Sequence, residues 1–157
     1  MQMTKEQRNE KVIVFQIKNE EYGAPVDAVG SIERMVEVTR VPGTPPFVKG
    51  VINLRGVVTP IIDLRERFGI EPAEYDDRTR IIIVSLEDKE VGMIVDTAND
   101  VIDVSADAIE PPPEVIGSVD VDYIRGVAKL DNRLLILLNI EKVLSEEEIT
   151  EISQVEG

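Results

Sequence analysis

KVIVFQIKNEEYGAPVD, residues 11–27, and RIIIVSLEDKEVGMIVD, residues 80–96, align without a gap at an offset of 69. Each opens on a base and runs through four β-branched or aromatic residues, Val12–Phe15 and Ile81–Val84. Each then turns through charged residues and sets a Gly four positions ahead of an Asp (Gly23, Asp27; Gly92, Asp96). Runs of Val, Ile and Phe bounded by polar turn residues have the composition of strands, so both segments read as β-hairpins. A second pair, GVINLRGVVTPIIDLRERF (50–68) and GVAKLDNRLLILLNIEKVL (126–144), aligns without a gap at an offset of 76. The surplus of seven residues falls between the hairpins of the second copy, where Pro111-Pro112-Pro113 and Gly117-Ser118 mark a long loop. The chain is therefore read as two diverged copies of one β-rich module, about 11–68 and 80–144, joined by a polar link over 71–79. Together they make a single domain over 11–150, with 1–10 and 151–157 as flexible tails.

Four or five short strands per copy is the pattern of a small barrel or sandwich. In copy one the strands are expected near 12–18, 21–26, 36–41, 48–54 and 57–63. Arg55-Gly56 between two apolar runs is a tight turn, with Gly supplying positive φ and Arg projecting from the rim. Pro60 confines its strand, at least locally, to an edge or a bulge. Pro25, Val26, Val29 and Ile32 have helical spacing and predict one or two turns of helix with an apolar stripe. Asp63 caps a short helix over Leu64 to Phe68 that Gly69 stops. Ser145-Glu146-Glu147-Glu148 is a capping box opening a short acidic C-terminal helix with Ile149 and Ile152 on one face.

The 157 residues include no His, Cys or Trp. Without imidazole or thiol there is no Ser-His-Asp triad, no Cys nucleophile, and no His- or Cys-ligated zinc or haem. Acids outnumber bases 31 to 17, and ten of the fourteen net negative charges lie in residues 100–157. Such a surface repels phosphate backbones and anionic membranes, so nucleic acid is excluded as a partner. The longest apolar run, Leu134–Leu138, is five residues where a spanning helix needs about 20, so direct membrane insertion is not expected and the cytoplasm is the default location. Asp76-Asp77, Asp120 with Asp122, and Asp96, Asp100 and Asp103 lack the order of an EF-hand loop and read as solvated loop acids. No glycine-rich phosphate cradle occurs. Arg65, Arg67, Arg78 and Arg80 flank the link; they either dock an anion or, as the acidity favours, balance local carboxylates. No metal, cofactor or catalytic residue is assigned. What remains is a protein-binding module: a duplicated β scaffold with a projecting Arg and exposed apolar stripes.

The run Gly50-Val51-Ile52-Asn53-Leu54-Arg55-Gly56, continued by Val57-Val58-Thr59-Pro60-Ile61-Ile62-Asp63-Leu64, resembles the signature of the CheW family of bacterial chemotaxis coupling proteins. The likeness extends through Tyr22-Gly23, Val41-Pro42, Phe47-Val48-Lys49, Val91-Gly92 with Val95-Asp96, the Pro111-Pro112 loop and Leu135 to Val143, about residues 11–150. The resemblance implies a mainly β, CheW-like fold of two intertwined five-stranded SH3-like β-barrels, with short helices and a C-terminal helix. It implies a non-catalytic adaptor in the cytoplasm, recruited to membrane-bound chemoreceptor arrays. There the adaptor would link the cytoplasmic tips of methyl-accepting chemoreceptors to the regulatory domain of the histidine kinase CheA, with self-association in arrays also open. By position, the resemblance implies that Arg55, Asn53, Val26 and Ile32 meet the receptor and that Val29 and Gly50 meet the kinase. Relatives often carry an acid at the position of Ser31; here the nearest is Glu33. A competing reading gives Arg55 an internal bridge to Asp63 or Glu66 and makes Gly50 a backbone necessity. An alternative function is a CheW-like input domain of a larger protein, either the kinase or a receiver-fused coupler. A small carboxylate-dependent enzyme is the remaining class.

Overall fold

The structure, a computed structural model, describes residues 9–86, 88–112 and 121–144. The Ser145 capping box, residues 1–8 and 151–157, Pro113, the Gly117-Ser118 pair and Asp120 lie outside them. In chain order the described elements are β1 (Glu10–Ile17), β2 (Glu20–Pro25), β3 (Val29–Arg34), β4 (Val48–Leu54), β5 (Val57–Asp63) and the one-turn helix α1 (Leu64–Arg67). There follow β6 (Arg80–Leu86), β7 (Lys89–Val95), β8 (Thr97–Val104), β9 (Ile109–Glu110), β10 (Ile124–Leu130), β11 (Arg133–Leu138) and α2 (Ile140–Val143). The mainly β fold expected from the sequence is what the chain adopts.

The strands form two curled sheets in the orders β8-β1-β2-β11-β10-β9 and β3-β6-β7-β5-β4. Each barrel takes its leading hairpin from one half of the chain and its other principal strands from the other half. Hairpin β1–β2 is flanked by β8 and β11, and hairpin β6–β7 by β3 and β5. The short strand β9 is an addition at one edge; its counterpart in the second sheet is a single bridge from Thr39 to Val51.

This interleaving explains why the decisive runs are continuously apolar rather than alternating. A strand buried on one face alternates, whereas a strand buried on both does not. Val12 and Val14 of β1 and Leu135 and Leu137 of β11 fill the interior of the first barrel. Ile61, Ile81 and Ile83 fill the second. The intervening residues Phe15, Ile62, Ile82, Val84, Ile136 and Leu138 point the other way, into a larger core shared by both barrels. Phe15, Tyr22, Phe68 and Tyr123 form a chain of ring contacts through that core, with centroids 5.1 to 6.1 Å apart. Truncating an aliphatic side chain here costs about 2–5 kcal/mol, and it loosens both barrels at once.

The repeated glycine is accounted for by the parallel seams between the halves. Gly92 of β7 pairs with Ile61 of β5, and Gly23 of β2 pairs with Leu137 of β11. A Cβ on Gly92 would lie 2.5 Å from Ile61 Cδ1, and one on Gly23 would lie 3.0 Å from Leu137 Cδ2. Absence of a side chain lets the two halves join at this distance.

Two local expectations are corrected. The segment after Pro25 is one 3₁₀ turn, Val26–Ala28, followed by strand β3, not a helix with an apolar stripe. Moreover the third strand lies at 29–34, whereas 36–41 contributes only the Thr39 bridge. The cause is a bulge at Gly30. Val29 pairs with Val84, Ser31 with Ile83 and Ile32 with Ile82, so one extra residue turns the two-residue period of a strand into a local spacing of three. That spacing imitates a helix in the sequence. Pro60 behaves as expected: β5 is an interior strand, but its ladder with β7 covers only Ile61 to Asp63, leaving Pro60 just outside it.

Candidate protein-binding site

Asn53, Leu54, Arg55, Gly56 and Val57 build the tip of the β4–β5 hairpin. Arg55 and Gly56 have φ of 52° and 85°, the paired left-handed conformation that matches the twist of a two-residue hairpin loop. The Gly56 N–H donates to Asn53 Oδ1 at 2.8 Å and locks the turn. Asn53 thus uses its side-chain carbonyl on the hairpin itself. The Arg55 side chain projects into solvent, 69% exposed, and its nearest acid is Glu33 Oε2 of β3 at 3.9 Å.

Neither acid proposed as an internal partner for Arg55 is engaged with it. Asp63 is buried, accepts the Arg65 and Glu66 N–H groups as the α1 cap at 2.8 and 3.4 Å, and accepts the Tyr75 hydroxyl at 2.8 Å. Glu66 pairs with Lys49. Burial, reinforced by the hydrogen bond to Asp63, pushes the Tyr75 phenol well above its ordinary pKa.

The Glu33 contact sets the tip against the opposite edge strand, because β3 and β4 are the two ends of their sheet. Ile32 is 41% exposed, and Val57 and Val58, the first residues after the turn, are 54% and 42% exposed. The tip thus presents an exposed guanidinium, followed directly by the exposed Val57, while Val58 and Ile32, each next in its strand to a residue at the tip, leave bare aliphatic surface on the opposite face, features suited to a protein partner. The two valines were missed in the sequence. Their signal was position: they precede the β5–β7 ladder, which begins at Ile61, so no strand covers them on that side.

Other candidates stand elsewhere. Val26 is half-buried on the 3₁₀ turn that carries the chain from β2 to β3, and Val29 packs against the central core. Gly50 is buried at the far end of β4 with φ of 144°, and a Cβ there would sit 2.0 Å from the Thr39 carbonyl oxygen. The backbone demands glycine at that point. Ser31 Oγ is buried without a hydrogen-bond partner among the described residues. Glu33, two positions further along β3, is the carboxylate that approaches Arg55.

The basic group beside the link is consumed locally. Arg65 holds Asp96 in a two-pronged pair, with Nε to Oδ1 at 2.8 Å, while Asp96 also accepts the Lys18 N–H at 2.7 Å. Arg67 donates from Nε to the Val143 carbonyl at 2.6 Å and stacks over Phe47 and Tyr123. Arg78 approaches Asp76 at 3.8 Å, and Arg80 donates to the Asp77 and Thr79 carbonyls. Among the described residues no three acids gather as a metal site would require, and no helix is long and apolar enough to cross a membrane.

Residues 11–148 match the family model described as a CheW-like domain. The chain is 49% identical over 138 residues to the chemotaxis protein CheW of Bacillus subtilis, covering 88% of both chains. It is 40% identical over 146 residues to the chemotaxis protein CheW of Klebsiella aerogenes, covering 93% of this chain and 88% of that one. Its fold superposes on the crystal structure of the scaffolding protein TtCheW from Thermoanaerobacter tengcongensis with a TM-score of 0.82 at 36% identity, over 88% of this chain and 94% of that chain.

Proposed function

The chain belongs to the family of CheW-like domains, and from that membership we propose that it is a non-catalytic chemotaxis adaptor. It couples the cytoplasmic tips of methyl-accepting chemoreceptors to the regulatory domain of the histidine kinase CheA, and so works in the cytoplasm at membrane-bound receptor arrays. The observation that carries this reading is the Arg55 tip. A two-residue loop with both φ values positive and a side-chain lock on Gly56 holds the guanidinium with little backbone freedom to lose on binding. Arg presents a planar fork that matches carboxylates and carbonyls, and Val57, the residue after the turn, adds an exposed aliphatic side chain beside it.

In this reading the receptor meets Arg55 with Ile32, and Val26 and Asn53 shape that face from behind. The kinase meets the edge strand β3 around Val29. Gly50 serves the kinase face indirectly, by letting the chain at Thr39 cross β4 and close the barrel. The test is calorimetric titration of the whole protein with a chemoreceptor cytoplasmic fragment and, separately, with the CheA regulatory domain. Arg55→Ala and Ile32→Glu should weaken the receptor complex. Gly30→Glu, on an exposed bulge where a Cβ meets nothing closer than 3.7 Å, should weaken the kinase complex. A folded wild type that binds neither partner would overturn the proposal.

A further inference from the structure

An open groove of about 670 Å³ lies between the segment that leaves β3 and the loop that enters β4. Met35, Val36 and Val38 form one wall, the Pro42–Pro46 loop forms the other, and Tyr75 reaches in from the link. Val36 and Tyr75 are 49% and 41% exposed, so the apolar surface is bare. The lining itself carries charge of the sign opposite to that of the molecule. In a chain of net charge −14 the lining holds two cations, Arg40 and Lys49, and no acid. Lys49 pairs with Glu66, whereas Arg40 is exposed and has no ion-pair partner among the described residues.

Residues 145–157 have the complementary composition: five Glu, no base, and Ile149, Ile152 and Val155 at intervals of three. The described core also ends close to the groove. The Val143 carbonyl accepts from Arg67, whose guanidinium lies 4.6 Å from the centroid of Phe47. Pro46 and Val48, on either side of Phe47, line the groove.

We propose that the acidic segment Glu146–Val155 of this same chain docks in the groove, with Ile149, Ile152 and Val155 against its valines and prolines and its glutamates beside Arg40 and Lys49. The groove is then occupied from within, and any outside apolar segment must displace the chain's own. Tethering supplies an effective concentration in the millimolar range, which suffices for a weak intramolecular contact.

The chain has no cysteine, so two can be introduced without interference. The full-length double variant Val36→Cys/Ser153→Cys is oxidised in dilute solution beside the control Asp131→Cys/Ser153→Cys, whose first position lies on the other barrel. Unchanged melting temperatures establish that both variants fold. Docking predicts an intramolecular disulfide that forms roughly tenfold faster than in the control, and slows when Arg40→Glu is added or salt is raised. Equal rates in the two pairs, or a rate indifferent to Arg40→Glu, would overturn the proposal. A disulfide between molecules, faster at higher protein concentration, would also overturn it by assigning the groove to a second copy.

Discussion

The β4–β5 and β10–β11 hairpins occupy equivalent places in the two barrels, yet they end in opposite chemistry. Their scaffolds share the same devices. Each has a one-residue bulge at the start, at Lys49 and at Arg125, followed by a glycine, Gly50 or Gly126. Each then pairs its returning strand with the other half of the chain in parallel register. At the tips the likeness ends: Arg55-Gly56 stands in one and Asp131-Asn132 in the other. Beyond the second tip Arg133 is pinned to Glu21 by two hydrogen bonds of 2.9 and 2.6 Å and approaches Asp100 at 4.0 Å. Val57, at the matching place in the first tip, touches no such partner and is 54% exposed. Glycines that a neighbouring segment closely approaches are held to one solution by sterics, while tips facing water carry either a buttoned edge or a presented one.

The strongest test of that contrast is at the glycines. Gly50→Ala is expected to cost about 4 kcal/mol or more, because its Cβ would overlap the Thr39 carbonyl at 2.0 Å with φ at 144°. Gly126→Ala, whose nearest neighbours are at 2.9 and 3.0 Å, should cost only about 1–2 kcal/mol. Urea unfolding of both variants settles the difference; equal losses would mean that the Thr39 crossing yields easily.

At the tips, Arg55→Ala should weaken the receptor-fragment complex roughly thirtyfold, in the range of a binding hot spot, with a melting temperature close to wild type. Asp131→Ala should leave that affinity within about twofold. A large fall in melting temperature for Arg55→Ala would return the residue to a structural role.

Arg133→Ala removes a half-exposed bidentate pair, so its effect is smaller: about 1 kcal/mol of stability at low salt, shrinking as salt screens the pair. Indifference to salt would point to lost packing instead.

The smallest effect concerns the caps that follow the hairpins. Asp63 caps α1 and is fastened by Tyr75, whereas Asn139 before α2 makes no side-chain cap. Tyr75→Phe should cost under about 1 kcal/mol at neutral pH. Since the folded protein raises the Tyr75 pKa, that contribution is complete below the ordinary phenol pKa of about 10 and is lost as pH climbs from there towards the folded value. The deficit of the Phe variant should therefore narrow in alkali, as denaturation curves at neutral and alkaline pH would reveal.

Much of this architecture was legible because burial on two faces leaves an unmistakable trace, the unbroken runs at Val12–Phe15, Ile81–Val84 and Leu135–Leu138. The hairpin at Arg55-Gly56 and the Asp63 cap were equally plain, being local devices with local residues. The exchange of hairpins between barrels was not derivable from the residues, since β1–β2 would pair as well, by composition, with strands of its own half; only the family resemblance implied it. Strand β3 was misplaced because a bulge alters phase, and α2 was passed over because Asn139 does not cap it. Among the candidate site residues, Arg55 and Ile32 face solvent, while Val29 and Gly50 are turned inward. Strand periodicity alone cannot tell an outward β-branched residue from one that packs beneath it.

The trading of hairpins has a consequence for how the molecule comes apart. Segment 71–79 passes between β5 and β6 of the same sheet, so a protease cut there would leave two fragments, neither holding the strands of a complete barrel. The nicked protein should stay assembled, each piece clasping the other's hairpin. Once separated, the pieces should regain structure only on being mixed, so this polypeptide has the makings of a split reporter whose halves are silent apart.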